Sequence, residues 1–177
     1  MNSSTNTYKI LIVDDELLNR KVLEGLLKSF GFECASADSG RVALELLDST
    51  YDLILLDIMM PDMDGFAVAK AVRAMPAYAA LPIVMVTALS AKPDRLRAVE
   101  AGASDFIAKP IDAVELRVRM NSLLRLKSYH DEVKNYQLHL EQMVAEKTRT
   151  LREALAELEQ ARQATLHAHI ETIQKLS

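Results

Sequence analysis

Leu53-Ile54-Leu55-Leu56-Asp57-Ile58-Met59-Met60-Pro61-Asp62-Met63-Asp64-Gly65 decides how the rest of the chain is to be folded. A short apolar run, ended by a carboxylate and then a Pro/Asp/Gly cluster, reads as a buried strand running into a loop. Asp57 then stands at the carboxyl end of a strand. In open parallel sheets that edge is where ligands bind.

Similar runs recur on both sides of this stretch. Residues 8–13 (YKILIV), 32–37, 81–86 (LPIVMV) and 105–108 read as four more strands. Between them lie helical patterns. The first carries Val22, Leu23, Leu26, Leu27 and Phe30, with Asp14, Asp15 and Glu16 as candidate caps and Gly31 as its stop. The second, opened by Asp38 or Ser39, carries Val42, Leu44, Leu46 and Leu47. The third starts at Gly65 with Phe66, Val68, Ala69 and Val72, and closes at Pro76. The fourth has Pro93 in its first turn, an apolar face of Leu96 and Val99, and Gly102 at its end. Asp112 caps the last. Nearly all-apolar strands alternating with helices make an α/β fold with a parallel sheet covered on both faces. Right-handed crossovers and a switch point give a doubly wound, five-stranded sheet of flavodoxin-like order, 2-1-3-4-5.

All five glycines and all five prolines lie at or before Pro110. With no later breaker, the last helix is expected to continue to about Leu176. The expected organisation is a frayed N-terminus over 1–7, a mixed domain over 8–128, and a coiled-coil helix over 129–177 that stops before a further domain. The formal net charge of −4 argues against a general nucleic-acid or anionic-membrane binder. The tail agrees: from His130 onward there are eight acids against six Lys/Arg. No run approaches the roughly 18 apolar residues of a membrane span. A single cysteine, Cys34, cannot form an internal disulfide and suits a reducing cytoplasm, where a buried apolar role is expected of it. The four histidines are scattered along the tail or its start and read as solvated or seam residues, not metal ligands.

The strand ends carry the chemistry. Asp14 and Asp15 end strand one, Asp57 strand three, Thr87 strand four and Lys109 strand five. In the 2-1-3-4-5 order, three carboxylates converge, a repulsive cluster unless a proton or cation neutralises it. Hard oxygen ligands with room for water suit Mg²⁺. A carboxylate beside Mg²⁺ can attack a phosphoryl group in line, with Thr87 and Lys109 holding the remaining oxygens. The expected product is an aspartyl phosphate on Asp57. Helix capping accounts for Asp14 and Asp15 singly, but not for a hydroxyl and a lysine at the other two strand ends. Asp62 and Asp64 before Gly65 hint at a calcium loop, but the glycine offset is wrong and no bidentate Glu follows.

Asp14-Asp15-Glu16, Asp57 within LLDIMMPDMDG, Thr87-Ala88 and Lys109-Pro110 together resemble the receiver domain of two-component response regulators, over about residues 8–128. The resemblance implies that Asp57 accepts phosphate from the phosphohistidine of a histidine kinase or phosphotransfer protein. It also implies that Asp14 or Asp15, Asp57 and the main-chain carbonyl of Met59 hold Mg²⁺, and that the Lys109-Pro110 bond is cis. Phe106 resembles the family's switch aromatic, moving with Thr87 on phosphorylation and altering the face made by helix four, strand five and helix five. That face is expected to form a homodimer, with Asp105 pairing with Arg117 or Arg119.

Along the long helix one heptad frame fits: Leu123, His130, Gln137, Val144, Leu151 and Leu158 at one seam position, Leu126, Val133, Leu140, Lys147, Ala154 and Ala161 at the other. Glu157 would face Arg162 of a parallel partner helix. Beyond Ala161 the better stripe is Leu166, Ile173 and Leu176, a register shift. The stretch 146–153 (EKTRTLRE) resembles linkers before HD-GYP phosphodiesterase domains, and such linkers also precede diguanylate cyclase and histidine kinase modules. The resemblance implies an output that hydrolyses cyclic di-GMP, whereas the chain itself is a self-phosphorylating switch with no enzyme domain. The competing expectation is a stand-alone adaptor whose coiled coil binds a partner.

Overall fold

Residues 7–88 and 92–175 are described in the computed structural model of the chain. The expectations for residues 1–6 and for the helix end at Leu176 lie outside the described residues, as does the side chain of Ile173. Five strands form one parallel sheet: β1 (Lys9–Val13), β2 (Glu33–Ala37), β3 (Leu53–Asp57), β4 (Ile83–Thr87) and β5 (Asp105–Ala108). Their order is β2-β1-β3-β4-β5, as expected from the alternating pattern. Helices α1 (Leu17–Ser29), α2 (Gly40–Leu46), α3 (Gly65–Ala74), α4 (Lys92–Glu100) and α5 (Ala113–Lys175) follow the strands in turn.

Period-two alternation divides the strand side chains between two cores. Leu11, Val13, Ile54, Leu56, Ile83 and Met85 pack on one face with Ala43 of α2, Phe66, Val68, Ala69 and Val72 of α3, and Ala98 of α4. Ile10, Ile12, Leu53, Leu55, Val84 and Ile107 pack on the other with Leu23 and Leu27 of α1 and Leu116, Met120 and Leu124 of α5. Central strands buried on both faces explain why their sequences run apolar without alternation.

Several helix faces differ from expectation. Val22 and Leu46 are exposed, and so are Leu96 and Val99. In α2, Val42 and Leu44, with Leu47 at its end, do pack against the core beside the buried Ala43, whereas α4 meets it through Ala98, with Ala101 just beyond its end. In α4 the small residues let the helix lie close to the strands, and the larger Leu96 and Val99 then fall on the outer surface. α1 has Glu16 at its N-cap without a side-chain cap bond, so the acids before it do not cap it. Ser39, not Asp38, caps α2 by accepting from the Val42 N–H. Cys34 is half-buried instead of buried, and burial pushes its thiol above the ordinary range.

Two helix ends are set by glycine, and the second lies at the functional edge. α1 closes in a Schellman turn: Gly31 has φ +86°, its N–H donates to the Lys28 carbonyl, and the Phe32 N–H donates to Leu27. Gly65 opens α3 hard against the end of β3, donating its N–H to the Ile58 carbonyl at 3.0 Å. A Cβ there would lie 2.9 Å from Ile58 Cα and closer still to the Asp57 carbonyl oxygen. Asp64 caps the same helix, accepting from the Ala67 N–H at 2.8 Å.

α5 is 63 residues long, and Asp112 caps it by accepting from the Glu115 N–H at 2.8 Å. The chain divides into two compact units between Tyr129 and His130. In the first unit, Lys127 is tied to Asp52 at 3.1 Å. In the second, Val133, Leu140, Val144, Leu151 and Leu158 are 41–66 % exposed, as is Leu126 at the end of the first. No helix among the described residues is long and apolar enough to cross a membrane.

Gly65→Ala is expected to lower the unfolding free energy by about 1–3 kcal/mol, the usual cost of forcing atoms into a filled site. Urea denaturation checks it against Gly25→Ala, where an added Cβ meets nothing within 4 Å.

Candidate active site

The switch point of the sheet lies between β1 and β3, and the chain delivers an acid at the end of each. Asp57 is the last residue of β3, and Asp14 directly follows β1. Thr87 is the last residue of β4, and Lys109 directly follows β5. The Lys109 N–H donates to the Thr87 carbonyl at 2.7 Å, so the ends of β4 and β5 are locked together. All the residues expected to share one edge do so.

Carboxylate oxygens of Asp14, Asp15 and Asp57 lie within 4.8 Å of one another. Asp14, Asp57 and Thr87 are buried, at 1 %, 5 % and 3 % exposure, while Asp15 is the more open member of the trio. The Lys109 ammonium bridges the two buried acids, 3.1 Å from Asp14 Oδ2 and 3.0 Å from Asp57 Oδ2. Burial holds the Asp57 carboxyl above the ordinary range, against the hydrogen bond and charge of Lys109, with Asp14 adding repulsion. Burial also works against the Lys109 charge, but the hydrogen bonds from Asp57 and Asp14 outweigh it and raise the ammonium's pKa. The site therefore keeps its cation firmly and its central carboxylate at a cost.

The donor set is all oxygen, without imidazole or thiolate, and carries three carboxylates against one lysine. Such a set fits a small hard divalent cation that retains some of its water. The Met59 N–H lies 3.4 Å from Asp57 Oδ1, a long contact, and the Met59 side chain is exposed. The Lys109-Pro110 bond is cis. Asp62 and Asp64 take no part in the cluster: Asp64 caps α3, and Asp62 sits in the turn with φ 65°.

Phe106 is half-buried against the core on the α2–α3–α4 side of the sheet, with the Arg119 guanidinium 6.0 Å from its ring centre. Arg119 forks onto both oxygens of Asp105 at 2.8 Å. The Asp105 pair expected across a dimer is thus formed with Arg119 inside one chain. Arg117 lies instead 6.0 Å from the ring of Phe30.

Two further residues belong to the site. Asn19 Nδ2 donates to both oxygens of Asp14 at 3.1 Å. Arg20 Nη1 donates to the carbonyls of Asp14 and Asp15 at 2.7 and 2.9 Å. Both project from the opening turns of α1, and a polar pair just after an acidic strand end was the signal available in the sequence.

Residues 10–121 match the family model described as the response regulator receiver domain. The chain is 42 % identical over 127 residues to the response regulator PleD of Caulobacter vibrioides, covering 71 % of this chain and 28 % of PleD. It is 40 % identical over 121 residues to a Cyanophora paradoxa protein named "Probable transcriptional regulator ycf27", covering 68 % and 49 %. The chain thus spans between about a quarter and a half of these relatives. Among solved structures, a response regulator of Chloroflexus aurantiacus superposes with a TM-score of 0.65 at 35 % identity, covering 67 % of this chain and 98 % of that one. The receiver domain of a sensor histidine kinase from Pseudomonas aeruginosa, solved with magnesium coordinated in its active-site cleft, gives 0.62 at 30 %, covering 67 % and 98 %.

The raised Asp57 pKa fixes a sign for the metal-free protein. The fold binds this proton better than the unfolded chain does, so this group's contribution to stability falls as pH rises through the carboxylate range. Asp57→Asn is therefore expected to raise the unfolding free energy at neutral pH, in chelator, by about 1–2 kcal/mol, the scale of a buried charge whose desolvation its partners do not fully offset. The gain should shrink as pH is lowered towards the carboxylate range. Urea denaturation at several pH values measures it.

Proposed function

Because the chain belongs to the response regulator receiver domain family, we propose that it is a phosphorylation-operated switch whose acceptor is Asp57. The observation that carries this reading is the Lys109 ammonium held 3.0 Å from Asp57 Oδ2, beside a carboxylate cluster open on the side of Asp15. The donor would be the phosphohistidine of a sensor kinase or a phosphotransfer protein. One Asp57 oxygen attacks phosphorus as the bond to the donor nitrogen breaks. Lys109 then exchanges a carboxylate partner for a phosphoryl oxygen, a charge-assisted bond of the same kind. Thr87, at the end of the neighbouring strand β4, offers its hydroxyl to another.

Asp15, Asp57 and the Met59 carbonyl would hold Mg²⁺, with Asp14 contributing charge close by. When bound, the cation would offset the charge that develops on the equatorial phosphoryl oxygens. Burial of Asp57 keeps bulk water from competing for the acceptor, and it raises the strength of every charge interaction there.

The signal would leave through Thr87 and Phe106. Drawing the Thr87 hydroxyl towards a phosphoryl group vacates space on the side of the half-buried Phe106, whose neighbour Arg119 is held by Asp105. That shift favours one of two packings of the α4–β5–α5 face, which already exposes Leu96, Val99, Val114 and Val118. We assign this face, together with the apolar stripe of α5, to a homodimer. A single helix of this length cannot bury Leu126, Val133, Leu140, Val144, Leu151 and Leu158 by itself. The stripe then passes the change to an output domain, and the linker resemblance favours a cyclic di-GMP phosphodiesterase of the HD-GYP type. A cytoplasmic location suits a phosphoaspartate switch carrying one unpaired cysteine.

Beryllofluoride with Mg²⁺ is expected to change the association state or helix pairing of the wild-type chain, measured by light scattering across a concentration series. Asp57→Asn should abolish the response. An unchanged, constitutive dimer would favour the adaptor reading instead.

A further inference from the structure

Asp14 is the most buried acid of the cluster, and its two oxygens are approached by more donors than Lys109 supplies. Oδ1 accepts from the Glu16 N–H at 2.8 Å, and Oδ2 from Lys109 at 3.1 Å. Asn19 Nδ2 lies 3.1 Å from each oxygen. A carboxylate offers about four lone-pair directions, and these four contacts account for them. The same turn of α1 fixes the backbone underneath, because Arg20 grips the Asp14 and Asp15 carbonyls. Asp14 can therefore neither turn nor lean towards Asp57 without breaking bonds that α1 provides.

We propose that Asn19 is a positioning residue for the phosphoryl-transfer site: its amide holds the Asp14 carboxylate in the orientation that serves the cation site and Lys109. Without that amide, a carboxylate 1 % exposed loses a donor that solvent does not readily replace. Asp14 would then be free to turn towards the cation position or to repel Asp57. Asp14 lies beside the ligands Asp15 and Asp57 without binding the cation itself, and loss of the groups that support a metal site in this way typically costs ten- to a hundredfold in metal affinity. This inference rests on the reading of the acid cluster as a divalent-cation site.

Isothermal titration of the metal-free chain with Mg²⁺ tests both, with thermal unfolding in chelator alongside. Asn19→Leu keeps bulk without a donor, Asn19→Ala removes both, and Asn19→Gln keeps the amide on a longer arm. The expected result is Mg²⁺ binding by the wild type, about tenfold weaker in the Leu and Ala variants. Their metal-free melting temperatures should fall only by the few degrees that one lost buried hydrogen bond costs, alike in both, and Gln should recover part of the lost Mg²⁺ affinity. Wild-type affinity in both the Leu and Ala variants would overturn the role of Asn19 while leaving the site reading standing. So would a loss that simply tracks lowered stability and that Gln does not relieve. No Mg²⁺ binding by the wild type itself would overturn the site reading and this inference together.

Discussion

Three carboxylates brought to one edge of a sheet repel one another, and the arrangement persists because Lys109 reaches across from β5 to hold two of them. That constraint organises the domain. The acids arrive on β1 and β3, neighbours only because the strand order reverses there, and the lysine arrives two strands away. A cation arriving at Asp15 and Asp57 would take over part of the neutralisation, and a phosphoryl group would then be a better partner for Lys109 than a carboxylate already satisfied. On the proposed function, each incoming charge would then release the next interaction. Burial, which raises the Asp57 pKa, is the cost of placing that carboxylate at the centre of the edge.

Much of this was legible from strand ends alone. A β-strand's last residue has a defined place once the strand order is known, and five apolar runs with helices between them admit few orders. Asp14, Asp57, Thr87 and Lys109 could therefore be assigned to one edge without any coordinates. Helix faces were less legible. In α4 the sequence offers Leu96 and Val99, but the sheet takes Ala98 and, just past the helix, Ala101, because this close-lying helix buries its small side and exposes its large one. Periodicity identifies a stripe, not which neighbouring stripe wins.

Side-chain partners were the least legible. For Asn19 the sequence offers only a polar residue soon after an acidic strand end, and nothing in it says that Asp105 takes Arg119 within the chain while Arg117 turns to Phe30. These choices depend on rotamers and on distances of a few tenths of an ångström. The exposed stripe of α5 is the opposite case: its heptad spacing is plain in the sequence, and a single chain leaves it uncovered. If that stripe pairs with a second copy, as proposed above, it would give the chemistry at Asp57 something to control.

The most direct measurement is the chemical identity of the modified residue. The full chain is treated with acetyl phosphate and Mg²⁺, reduced with borohydride and digested, and the peptides that hold Asp57 and the Asp14–Asp15 pair are sequenced by mass spectrometry. The account predicts Mg²⁺-dependent conversion of Asp57 to homoserine, the reduction product of an acyl phosphate, and none in chelator. Reduction product at Asp14 or Asp15 in place of Asp57, or an unmodified chain under the same conditions, would contradict it.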